Sequence, residues 1–123
     1  MTKKLINSFR AAINGFKDVL VFEHTFRVMV IAAVLVIGLM LYFPTTRAEK
    51  AILLVIIFMV LVLELVNSVV ERIMDVVHPG EHEDVKEIKD LMASIVLVVA
   101  VAASAIGLLI FWPHFSNLVS GFI

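Results

Sequence analysis

Three stretches of this chain carry no charged residue: positions 28–43, 51–63 and 91–112, which are sixteen, thirteen and twenty-two residues long. A helix needs about 17–25 predominantly apolar residues to cross a hydrocarbon core of ~30 Å. With their flanks the runs reach that length, so residues 27–43, 50–70 and 91–112 are predicted to be transmembrane helices. The chain as a whole is 62% hydrophobic with a mean hydropathy of +1.08, well above the roughly half expected of a soluble domain. Its 123 residues support one domain, 1–123, and three spans leave most of its apolar surface to face lipid. There is no cysteine, which excludes disulfides and thiol chemistry.

Residues 3–20 read as an amphipathic helix. Leu5, Ile6, Phe9, Ile13, Phe16 and Leu20 fall on one side; Lys3, Asn7, Arg10, Asn14, Lys17 and Asp18 fall on the other. A basic polar face of this kind suits the membrane interface; the alternative is a helix packed on a protein core. Arg10, Lys17, Asp18 and Glu23 interrupt the apolar run a cleavable signal needs, so the N-terminus is expected to be retained. Glu23 and His24 form a short break, and Arg27 opens the first span. Thr45 or Thr46 is expected to cap the second helix, with Glu49 in its first turn. That helix should run from Arg47 to Val77 and end at His78-Pro79-Gly80, because proline cannot continue it and glycine accepts the turn. Trp112 and Pro113 are expected to end the third span.

Charge orients the spans. Lys3, Lys4, Arg10, Lys17, Arg27, Arg72, Lys86 and Lys89 lie on one side of the predicted membrane, and only Arg47 and Lys50 on the other. Eight against two predicts a cytoplasmic N-terminus and second loop, with the C-terminus outside.

The second span is interrupted by Glu64. At ~100° per residue, Glu64, Asn67, Glu71 and Asp75 lie within an arc of about 80°, so three acids and an amide share one helix face. Such groups on a membrane helix point to function by default, since their insertion penalty must be offset by water, a partner or a metal. Lys86, Lys89 and Asp90 share a face of the third helix, at the same membrane side as Glu23. Carboxylates and an amide suit Mg²⁺, which takes oxygen ligands and often only one or two carboxylates plus substrate phosphates. Lysines suit a phosphate, and a spare carboxylate near lipid can accept a hydroxyl proton. These are parts for phosphoryl transfer to a membrane-embedded alcohol. Two other readings of the residues stay open: a proton or ion pathway through Glu64, as in a small ion- or proton-coupled transport subunit, and a structural stripe of a membrane scaffold, in which Glu71 and Asp75 pair with Arg72 or with lysines. There is no Gly-rich phosphate loop. His78 and His82 are four apart but separated by Pro79-Gly80, so they are not expected to form a zinc pair, and His82 is a candidate for the nucleotide side.

The run from Glu64 to Asp75, E-x-x-N-[ST]-x-x-E-x-x-x-D, followed after a loop by Lys89-Asp90, resembles the signature of the bacterial membrane-integrated diacylglycerol kinase and undecaprenol kinase family. Glu23-His24-Thr25-Phe26 is similar to that family's Glu-x-x-Phe lead-in to the first span. The resemblance implies an all-α integral membrane protein of the bacterial cytoplasmic (inner) membrane. Its architecture would be a surface helix plus three transmembrane helices, assembled as a homotrimer with active sites shared between subunits. It implies ATP and Mg²⁺ as cosubstrate and cofactor, and a membrane lipid alcohol as acceptor: diacylglycerol giving phosphatidic acid, or undecaprenol giving undecaprenyl phosphate. Nucleic acid is not an expected partner. Carried over by position, Glu64 is the general base and Glu23 and Glu71 are the metal ligands. Asn67 orients the site, Lys89 holds the γ-phosphate, and Asp75 and Asp90 support the nucleotide end. Arg10 and Lys17 are further nucleotide-side candidates. The chain departs from the family pattern at Met29, where a polar residue is common, and at Met92, where small residues follow Lys-Asp.

Overall fold

The computed structural model describes residues 1–80 and 82–122. Among them are four helices and no strand: α1 Thr2–Phe22, α2 His24–Tyr42, α3 Arg47–Val77 and α4 Glu83–Phe122. Three of these, α2, α3 and α4, are long and apolar enough to cross a membrane. At ~1.5 Å per residue, α3 with its 31 residues is about 46 Å long and α4 with its 40 about 60 Å. Both exceed a hydrocarbon core of ~30 Å and carry their charged turns beyond it.

The break between α1 and α2 is a single residue. Glu23 is extended (φ −104°, ψ 106°) and serves at once as the end of α1 and the start of α2, so His24 already belongs to α2. The last carbonyls of a helix lack intrahelical donors, and here Arg27 of α2 supplies two: its Nη1 donates to the carbonyls of Leu20 (3.1 Å) and Val21. Phe26 is wholly buried and meets Phe16 edge-on at 5.4 Å between ring centroids. This bend fixes where Glu23 stands relative to α3.

At the opposite end, Thr46 caps α3. Its hydroxyl accepts from the Glu49 amide (3.1 Å), and the Glu49 carboxylate accepts from the Thr46 amide (2.9 Å), the reciprocal arrangement of a capping box. Thr45 donates to the Met40 carbonyl (2.9 Å), closing the turn into an antiparallel hairpin. Met40, Phe43, Leu53, Ile110 and Phe111 form the buried cluster that joins α2, α3 and α4 here. His114 stacks on Phe43 and brings its Nε2 to 3.5 Å from Glu49. The other end of α3 stops at His78, and Gly80 takes the positive φ of 97° that glycine tolerates without strain.

The helix outlasts the expected span: α4 runs past Trp112-Pro113 and continues through Pro113 to Phe122. Proline removes one amide donor, which ends many soluble helices; membrane helices tolerate it more readily. The turn after Pro113 is packed, with His114 and Phe115 both against the Phe43 ring.

Candidate active site

The polar face of α3 is graded along its length. Glu64 is 2% exposed, Asn67 and Glu71 are half-buried, and Asp75 is exposed. Ser68, one turn beyond Glu64, is buried at 4%. Its place in the signature marked it only as a small hydroxyl residue, and sequence reasoning gave it no role. None of the ion pairs among the described residues involves Glu64; the charges that bear on it are Glu71 and Glu23. The bend at Glu23 thus brings a carboxylate from the α1–α2 junction into the neighbourhood of two from α3. Asn67 Nδ2 donates to Glu71 Oε1 at 3.4 Å, holding one carboxylate oxygen and leaving the other for a ligand.

The aqueous end is built across α3 and α4. Lys89 Nζ donates to Asp75 Oδ1 at 2.8 Å, and the charge of Glu71 also bears on Lys89. Lys86 pairs with Asp90 at 3.1 Å along α4. His82, Glu83, Lys86, Lys89 and Asp90, with Gly80 and Val85, line an open cleft of about 610 Å³, so three residues expected at the nucleotide end, His82, Lys89 and Asp90, border one depression. His82 also serves the fold: its Nδ1 accepts from the Asp84 amide at 3.2 Å at the start of α4, and its ring stacks on His78.

Other candidates are not drawn in. No hydrogen bond or ion pair among the described residues ties Arg10 or Lys17 to α3 or α4. The α1 side chain that makes such a contact is Asp18, whose Oδ2 receives Arg72 Nη1 at 2.7 Å. Arg72 also stands 3.8 Å from Glu23; it does not pair with Glu71 or Asp75, and Asp75 pairs instead with Lys89, a contact the structural reading of the stripe also allows. An apolar groove lined by Val55, Phe58, Val62, Val66 and Val99 is centred about 180° around α3 from Glu64, so it opens on the back of the helix rather than into the site.

Among the described residues no three His, Asp or Glu side chains are close enough to one another to ligate one ion. The donor set is therefore not a closed cage. Two oxygen-donating carboxylates, Glu23 and Glu71, with a lysine on the neighbouring helix are a donor set compatible with the sparse protein ligation of Mg²⁺.

The model of the family described as prokaryotic diacylglycerol kinase matches residues 10–111, which include every candidate residue above. The chain belongs to the prokaryotic diacylglycerol kinase family. A Pseudomonas aeruginosa protein described as diacylglycerol kinase is 28% identical over 89 residues, covering 72% of each chain. This member of the kinase family is accordingly a multi-pass membrane protein of the lipid-kinase type. Of the departures from the family pattern, Met92 is buried just beyond Lys89-Asp90, where it packs rather than ligates.

Proposed function

We propose that this chain transfers the γ-phosphoryl group of ATP to the hydroxyl of a membrane lipid alcohol, diacylglycerol in the first instance, giving phosphatidic acid. The observation that carries this reading is the gradient along α3. A buried carboxylate, Glu64, stands at the apolar end of the stripe, while Asp75 and Lys89 stand at its exposed end; this supports a lipid acceptor at the first and a nucleotide at the second. Glu64 accepts the hydroxyl proton as the lipid oxygen bonds to the γ-phosphorus. The bond from that phosphorus to the β-bridging oxygen breaks, and ADP leaves with the electron pair. Lys89 turns from Asp75 to the γ-phosphate, adding positive charge where the transferring group carries most negative charge. Asn67 holds Glu71 in place, and Asp90 and Asp75 orient the lysines. Glu23 and Glu71 are the residues that would hold Mg²⁺, whose part is to neutralise phosphate charge.

The exposed apolar side chains of α2, α3 and α4, Leu35, Phe58, Leu97 and Leu108 among them, need lipid or further copies of the chain against them. A homotrimer with shared sites meets that need and brings in a neighbour's side chains where the described residues of one chain offer no three-ligand cage. The eight-to-two division of basic residues supports an inner-membrane orientation with the site in the cytoplasm and the C-terminus outside; α1, with its basic side, lies along the interface. The test is a side-by-side assay of purified protein with diacylglycerol and with undecaprenol, with Mg²⁺ and with chelator. Mg²⁺-dependent phosphatidic acid formation is expected; preferential phosphorylation of undecaprenol would reassign the acceptor, and no transfer to either lipid would end the kinase reading.

A further inference from the structure

The α1–α2 junction carries two arginine contacts of different kinds. Arg27 holds backbone, through the Leu20 and Val21 carbonyls. Arg72 holds side chains: Nη1 is 2.7 Å from Asp18 and Nη2 is 3.8 Å from Glu23. Glu23 makes no capping hydrogen bond with its side chain, and among the described residues Arg72 is the one cation paired with its carboxylate. Arg72 follows Glu71 directly in α3. A single guanidinium therefore links α1, the junction and the helix that carries Glu64 and Glu71. Its planar fork can address two carboxylates at once, which the point charge of an ammonium does less well.

We propose that Arg72 is a positioning residue for the phosphoryl transfer: it fastens Glu23 to α3 beside Glu71, and so sets the spacing of the two carboxylates that take the divalent cation. The proposal rests on the assignment of Glu23 and Glu71 as cation ligands. Glu23 is a single extended residue between two helices and its side chain makes no capping hydrogen bond, so the Arg72 contact is what directs its carboxylate toward a cation shared with Glu71. Arg72 holds it through one oxygen and leaves the other free. Asp18 takes Nη1, so the guanidinium faces Glu23 through Nη2. Exposed ion pairs contribute little to global stability, so removing this one should leave the fold intact while loosening the site.

The sign of the effect separates positioning from mere proximity. A nearby positive charge repels a cation, so if Arg72 were only a bystander its removal would tighten divalent-ion binding. Positioning predicts weaker binding, on the order of tenfold, as for residues that orient metal ligands. The experiment is Mn²⁺ titration by electron paramagnetic resonance on the full chain in lipid nanodiscs, with a non-hydrolysable ATP analogue, alongside kcat and KM for MgATP and lipid. Arg72→Gln should weaken Mn²⁺ about tenfold and leave KM for lipid unchanged, and Arg72→Lys should recover part of the loss. Asp18→Asn, which frees α1 but leaves Arg72 facing Glu23, should change Mn²⁺ binding by less than about twofold. Unchanged or tighter binding in Arg72→Gln would overturn the proposal, as would an Asp18→Asn loss equal to that of Arg72→Gln. If Arg72→Gln loses its helical signal, Arg72→Lys decides alone: wild-type Mn²⁺ affinity there would overturn it. Glu23→Gln separates the two levels. If it leaves Mn²⁺ binding unchanged, the ligand assignment falls and this proposal with it; if it weakens binding and Arg72→Gln does not, only the positioning role falls.

Discussion

Lys89→Met and Asp75→Asn break the same ion pair, and the account assigns them very different consequences. At rest Lys89 Nζ lies 2.8 Å from Asp75, with side chains 36% and 67% exposed. A pair that open to water shifts an equilibrium by less than about fivefold, and less again in salt. If the contact were the whole purpose of both residues, the two substitutions would cost the same small factor. If Lys89 leaves Asp75 for the γ-phosphate during transfer, Lys89→Met removes a cation from the developing charge, a loss on the order of 10²–10³ in kcat for a group of that kind. Asp75→Asn then frees the lysine and should lower kcat by less than about tenfold. The assay is kcat with saturating MgATP and lipid for both single variants and the double, with helical content checked in parallel. A double variant matching Lys89→Met is expected. Equal, small effects of both single substitutions would refute the role given to Lys89.

Two predictions concern the frame that holds the site. Thr46→Ala removes the hydroxyl that accepts the Glu49 amide and should destabilise the protein by about 1 kcal/mol, read as a lower midpoint in thermal unfolding monitored by circular dichroism. Leu53→Ala empties part of the cluster that joins α2, α3 and α4, where Leu53 is 2% exposed. In water such a change costs about 2–5 kcal/mol, but lipid tails are as apolar as leucine, so the packing loss alone remains. About 1–2 kcal/mol is expected in bilayers from that packing loss, and a loss of about 3 kcal/mol or more, well into the aqueous range, would contradict this reasoning.

The limits of α3 were legible because each has a local cause. Thr46 and Glu49 form the start, Pro79 and Gly80 forbid continuation, and the positions of Glu64, Asn67, Glu71 and Asp75 follow from helical period alone. That the helix continues past Pro113 was not legible because the proline signal is local, whereas the contacts of His114 and Phe115 with Phe43 join residues far apart along the chain. Arg72 was legible as a charge beside the stripe but not as a strap. Which of several acids a long side chain reaches depends on how α1 turns into α2 at Glu23; the break there was legible, its direction was not. For the same reason Arg10 and Lys17 carried the right charge for a phosphate, yet the contact from α1 to α3 is made by Asp18.

The central claim is that Glu64 takes the proton from a lipid hydroxyl while a nucleotide is held at the other end of the same helix face. Its most direct test is single-turnover transfer of labelled γ-phosphate from ATP to diacylglycerol by Glu64→Gln, with nucleotide affinity measured on the same preparation. The account predicts that transfer falls by about 10²–10⁴ while nucleotide binding stays within a few-fold of the unsubstituted protein. A Glu64→Gln variant that turns over at the original rate would contradict it.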